Sequence, residues 1–139
     1  MKTTLELRSV DSVEPGLATA VIALFTGLLY DKGALGDAEQ LLSPINAKDA
    51  EASRKGLVTR GLHASYGSYV GFDLAGELLK LARAGLGRRA RLLGIEDESR
   101  WLEPLAELVE ARTSPAALLV EQLGAVPDPA RLVAFCGKS

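Results

Sequence analysis

The chain has 139 residues and a formal net charge of -2; 47% of them are hydrophobic, 24% charged and only 5% aromatic. That length supports one folded domain with its own core, and the composition is that of a soluble globular chain. A near-balanced charge with no Lys/Arg stripe excludes an ordinary nucleic-acid binder, and so few aromatics require a core of Leu, Ala and Val, which suits close helix–helix packing.

Thr4 to Val10 reads as a short strand, ending at Asp11. Side chains alternate across a strand, so Glu6 and Arg8 share one face while Leu5 and Leu7 share the other. An acid beside a base is commonly a weak exposed ion pair; the other reading is half of a site for a metal ion and a phosphate. A lone strand leaves its backbone N–H and C=O groups without ladder partners. Pairing with a second copy would satisfy them and hide both leucines. The sequence therefore predicts a homodimer through this strand, or a sheet completed by another polypeptide.

Leu17 to Tyr30 is apolar apart from Thr and Gly. It is shorter than the about 20 residues that a membrane span requires, so it reads as a central helix, opened by Pro15 and surrounded by other helices on every side. Asp31-Lys32-Gly33 is expected to end it. Asp37-Ala38-Glu39-Gln40 has capping-box spacing and predicts a new short helix, stopped at Ser43-Pro44. Asn46 caps a polar, solvent-facing helix to about Val58. Gly61 to Gly71 reads as a loop. His63, the only histidine, has no evident orienting partner there and reads as a loop residue rather than a base. Tyr66 and Tyr69 read as plugs for the core rather than walls of a ligand pocket.

Asp73 to Arg89 is amphipathic, with Leu74, Leu78, Leu81 and Ala82 on one side. Arg88, Arg89 and Arg91 lie near its end, where cations suit the helix dipole; anion binding is the sharper alternative. Ser99 to Ala111 predicts a further helix with Trp101, Leu102, Leu105, Leu108 and Val109 buried, Trp101 being the anchor. Pro115 to Leu123 follows, capped by Ser114 and closed by Gly124, and Asp128-Pro129 starts a last helix to about Phe135. Cys136 is the single cysteine, which excludes an internal disulfide and a multi-cysteine zinc site and points to a reducing compartment. With no apolar signal core at the start, a cytoplasmic location is expected. The fold class is mostly α: a compact domain of six to seven helices over residues 15–136, preceded by one N-terminal strand in residues 1–12, the whole forming a single domain over 1–139.

Leu5-Glu6-Leu7-Arg8-Ser9-Val10-Asp11, followed by a helix ending Gly27-Leu28-Leu29-Tyr30-Asp31, resembles glutamate–cysteine ligase of the plant and proteobacterial type. Arg60-Gly61-Leu62, Leu79 to Leu86 and Thr113-Ser114-Pro115-Ala116 match the C-terminal region of that family in the same order. The resemblance implies an ATP-dependent, magnesium-requiring ligase of glutathione-type biosynthesis, built on a glutamine-synthetase-like catalytic sheet. It implies that Glu6 is a magnesium ligand, that Arg8 contacts the transferred phosphate and that Asp11 orients the loop after the strand. These roles suit the residue types: a hard divalent cation takes carboxylate oxygen, and a phosphoryl group takes a fixed guanidinium. The family's other metal carboxylates and nucleotide contacts precede this segment. The chain is therefore expected to be a C-terminal portion, inactive alone, binding neither Mg2+ nor ATP well by itself and needing an N-terminal ligase polypeptide. The alternative is a non-catalytic helical module for association or regulation.

Overall fold

The structure, a computed structural model, describes residues 13–124 and 128–136. Within them the chain forms seven α-helices, two 3-10 turns and one two-stranded hairpin. The mostly-α reading holds. The strand read at Thr4 to Val10 lies outside the described residues, and with it the homodimer through that strand.

Helix α1 (Pro15–Leu29) opens on proline, whose missing N–H belongs to a turn that has no intrahelical acceptor. It does not hand over to a loop and then a short helix at Asp37. Helix α2 (Lys32–Leu42) begins directly, because Asp31 turns extended and its Oδ1 accepts the Ala34 N–H at 2.7 Å. Asp37 lies inside that helix. Asn46 caps α3 (Ala47–Arg60) as expected, in a reciprocal box with Asp49. The glycine-rich stretch is not an open loop: a 3-10 turn, Gly61–His63, leads into β1 (Ser65–Tyr66) and β2 (Tyr69–Val70), paired antiparallel with Tyr66 opposite Tyr69. Gly67, at φ +59°, supplies the left-handed residue such a two-residue hairpin turn requires.

Helix α4 (Gly71–Leu93) runs longer at both ends than its amphipathic pattern suggests. A 3-10 turn, Glu98–Leu102, precedes α5 (Glu103–Glu110), which carries Pro104 in its first turn. Helix α6 (Pro115–Leu123) is capped by the Ser114 hydroxyl, and α7 (Pro129–Cys136) follows.

The core lies where α1 crosses α4. Ala23, Leu28, Ala38, Ala82, Leu86 and Leu102 form it, with Leu24, Leu78, Leu79 and Leu81 packed against its edge. Leu86 and Leu102 are its largest fully buried side chains; burying one leucine stabilises by about 1.5–3 kcal/mol. Small residues carry much of the rest, and no described valine is fully buried. A Cβ on Gly85 would overlap the carbonyl of Gly27, and one on Gly27 would overlap the carbonyl of Ala82, so the two helices touch backbone to backbone.

Two expectations about the core are corrected. Helix α1 is not covered all round: α4, α5 and the 3-10 turn Glu98–Leu102 line one side and α2 packs at its end, while Ile22 and Tyr30 remain 68% and 78% exposed. Trp101 is not the anchor either. It is 45% exposed, with the Arg100 guanidinium 4.9 Å above its ring, and Leu102 takes the buried place. The 3-10 turn has about three residues per turn rather than 3.6, so the inward direction passes from Trp101 to its neighbour.

Candidate functional site

Glu6, Arg8 and Asp11 lie outside the described residues. What the structure describes is the helical body that follows them and three clusters of polar side chains upon it.

The first cluster joins α2 to α4. Asp31, the N-cap of α2, accepts from Nε and Nη2 of Arg88 at 3.0 and 2.7 Å. Hydrogen bonding by Arg88, then by the Ala34 N–H, holds the Asp31 carboxyl below the usual aspartate range, against the opposing effect of burial. The same pairing raises the Arg88 guanidinium. The adjacent Arg89 pairs with Glu98 at 2.7 Å. Asp97 caps the 3-10 turn through the Ser99 N–H at 2.9 Å, and that hydrogen bond lowers its carboxyl, with Arg91 and Arg83 adding attraction. Arg88 and Arg89 are therefore occupied by carboxylates of the chain itself. Of the three arginines only Arg91 lies in the last turn of α4, where the dipole favours it. Sequence reasoning missed Asp31 because its partner is 57 residues away.

The second cluster surrounds Phe72, which is buried at the start of α4. His63 meets its ring edge-on, with centroids 4.8 Å apart. Arg112 lies 5.7 Å from the ring centroid, and its guanidinium pairs with Asp73 at 2.9 Å. Arg112 reaches this place from a left-handed backbone, at φ 49°. His63, in the 3-10 turn rather than an open loop, thus packs an aromatic edge. Tyr69 and Tyr66 are half-buried, and the Tyr69 hydroxyl donates to the Leu41 carbonyl at 3.3 Å. Through that bond Tyr69 braces the hairpin against the end of α2.

The third cluster is a cleft of about 280 Å³ between α3 and the hairpin, lined by Asp49, Ser53, Gly56, Arg60, Ser65 and Gly67 among others. No local sequence signal marks it, since its two walls come together only through the 3-10 turn. As to a metal, no group of three or more His, Cys, Asp or Glu side chains converges among the described residues. The described helices do not fit a magnesium cage, and no step through the ion is derived from them. Among the same residues no single helix is long and apolar enough to cross a membrane.

No family model matches the chain, and no solved structure does. Curated proteins do. The chain is 29% identical over 121 residues to the chloroplastic glutamate–cysteine ligase of Solanum lycopersicum, and equally so to that of Nicotiana tabacum. It is 30% identical over 121 residues to the chloroplastic glutamate–cysteine ligase of Medicago truncatula. Each of these matches takes in 87% of this chain. The chain spans only 22–23% of the length of these relatives, and it resembles a part of glutamate–cysteine ligase.

Proposed function

We propose that this chain is the C-terminal portion of a glutamate–cysteine ligase-like, ATP-dependent carboxylate–amine ligase, and that it works with a polypeptide supplying the rest of the active site. The observation that carries this reading is the lopsided extent of the resemblance: 87% of this chain against 22% of the tomato enzyme. On this reading Glu6 offers a carboxylate oxygen to Mg2+, Arg8 offers a guanidinium to the transferred phosphate, and Asp11 orients the loop that follows. Bound Mg2+ and ATP would supply the phosphoryl chemistry. The helices serve as the mount. Helix α1 is fixed to α4 by backbone contact at Gly27 and Gly85, so the segment before Pro15 starts from a fixed base.

The test is ADP release that depends on Mg2+, glutamate and cysteine. The chain alone is expected to be silent. Mixed with the preceding portion of a plant glutamate–cysteine ligase, it is expected to restore turnover, and Glu6→Gln or Arg8→Lys is expected to abolish that restoration. Turnover by the chain alone would refute the need for a partner. Restoration that survives both substitutions would refute the assigned roles.

The exposed apolar residues Ile22 and Leu29 of α1, with Tyr30 at its C-cap, favour a second reading, a non-catalytic association module. It predicts that Ile22→Asp disrupts complexes of the chain while Glu6→Gln leaves them intact.

A further inference from the structure

We propose that the cleft between α3 and the β1–β2 hairpin is a binding site for a small oxyanion, a carboxylate or a phosphate, held by the guanidinium of Arg60. This site is independent of Glu6 and Arg8 and does not rest on the ligase reading. Asp49, Ser53, Gly56 and Arg60 follow one another at helical spacing along one face of α3, and Ser65 and Gly67 form the opposite wall. Gly56 makes the room. The Arg60 Nη2 lies 3.2 Å from the point a Cβ on residue 56 would occupy, so the guanidinium folds back over the helix into that space.

Several other arginines are engaged within the chain. Arg54 pairs with Glu51, Arg83 with Glu103, Arg88 with Asp31 and Arg112 with Asp73. Arg60 lies on the cleft without a carboxylate partner or a side-chain hydrogen bond among the described residues. A guanidinium presents a planar fork of donors matched to two oxygens of one anion, and its charge strengthens both hydrogen bonds. The Ser65 hydroxyl adds a further donor on the facing wall. Gly67 projects no side chain into the opening. Asp49 lines the cleft as well, but its carboxylate accepts the Asn46 N–H at 3.1 Å as part of the α3 cap. Its negative charge keeps an anion at the Arg60 end. A volume of about 280 Å³ leaves room beside a bare oxyanion for a small organic group.

The experiment is a titration of the full chain followed by amide chemical shifts, with acetate and inorganic phosphate as probes and sodium chloride as the ionic-strength control. Saturable shifts confined to residues 53–67 are expected, and the stronger of the two probes identifies the oxyanion class. Arg60→Gln is expected to weaken binding by about tenfold or more and Ser65→Ala by less. Arg60→Lys, a point charge without the fork, is expected to fall between wild type and Arg60→Gln. Arg60 is exposed, so the fold is expected to survive these changes, which a melting curve verifies. Shifts that fail to saturate, that chloride reproduces, or that Arg60→Gln leaves unchanged would overturn the site.

Discussion

Asp31 and Arg88 tie the start of α2 to the last third of α4 through a single oxygen. Oδ1 of Asp31 accepts from Nε and Nη2 of Arg88 at 3.0 and 2.7 Å and from the Ala34 N–H at 2.7 Å. The Asp31 side chain is 16% exposed and that of Arg88 41%. One side chain therefore caps a helix and fixes the corner between α1 and α2 against α4. Gly33 keeps this corner open: a Cβ there would press on Asp31 Oδ1 at 3.2 Å and on Arg88 Nη2 at 3.3 Å.

Asp31→Ala removes both the cap and the ion pair, and it is expected to cost about 1–2 kcal/mol in denaturant melts. Asp31→Asn keeps a good N-cap and loses only the charge, so it is expected to cost less. The loss under Asp31→Ala should fall on α2 and the end of α1, as faster amide exchange there. An Asp31→Ala chain as stable as wild type would show that the corner is held by packing alone.

Acid should erase this contribution. The folded Asp31 carboxyl is held below its ordinary value of 3.8, chiefly by the Arg88 hydrogen bonds. The unfolded state thus takes up the proton first as pH falls. The extra stability is complete well above 3.8 and is lost as pH drops through the depressed folded value. Other lowered carboxyls, Asp97 among them, act in both proteins and cancel in a comparison. The stability gap between wild type and Asp31→Asn is therefore expected to be constant near neutral pH and to close in acid. A gap unchanged down to the acid transition would place the ion pair outside the stability of the fold.

The contact between α1 and α4 makes an opposite pair of glycine predictions. Gly85→Ala places a methyl group into the carbonyl of Gly27, and overpacking of backbone on backbone is expected to cost about 3 kcal/mol or leave the chain unfolded. Gly36→Ala, inside α2 with nothing within 4 Å of the added carbon, is expected to stabilise by about 0.5–1 kcal/mol through helix propensity. Thermal melts of the two variants decide it. Equal tolerance at both positions would mean the helices are farther apart than described.

What the sequence revealed of this fold was whatever a short window determines. Asn46 with Asp49, and Ser114 with Pro115 and Gly124, mark α3 and α6 because caps are local hydrogen bonds. The α1–α2 corner was misread because Asp37 and Gln40 carry the capping-box spacing while Asp31, followed by Ala34, does not. Arg88, which stabilises Asp31, is distant in sequence. The hairpin escaped notice because strands of two residues show no alternation. The Arg60 cleft escaped because its walls meet only in three dimensions. The metal and phosphate roles proposed for Glu6 and Arg8 rest on a motif alone, and those residues lie outside the described ones.

Trp101 and Leu102 supply the last prediction, since they are adjacent and differ in what surrounds them. Leu102 is fully buried between α1 and α4, whereas Trp101 is 45% exposed beneath Arg100. Leu102→Ala is expected to cost about 2–5 kcal/mol, the lost transfer energy plus the cavity left behind. Trp101→Ala removes a larger side chain but leaves no enclosed void, and the cation–π contact it gives up is exposed, so it is expected to cost about 1 kcal/mol or less. Volume alone would rank the two the other way. Urea melts of both variants separate burial from size, and a larger loss from Trp101→Ala would mean that the 3-10 turn Glu98–Leu102 presents Trp101, not Leu102, to the core.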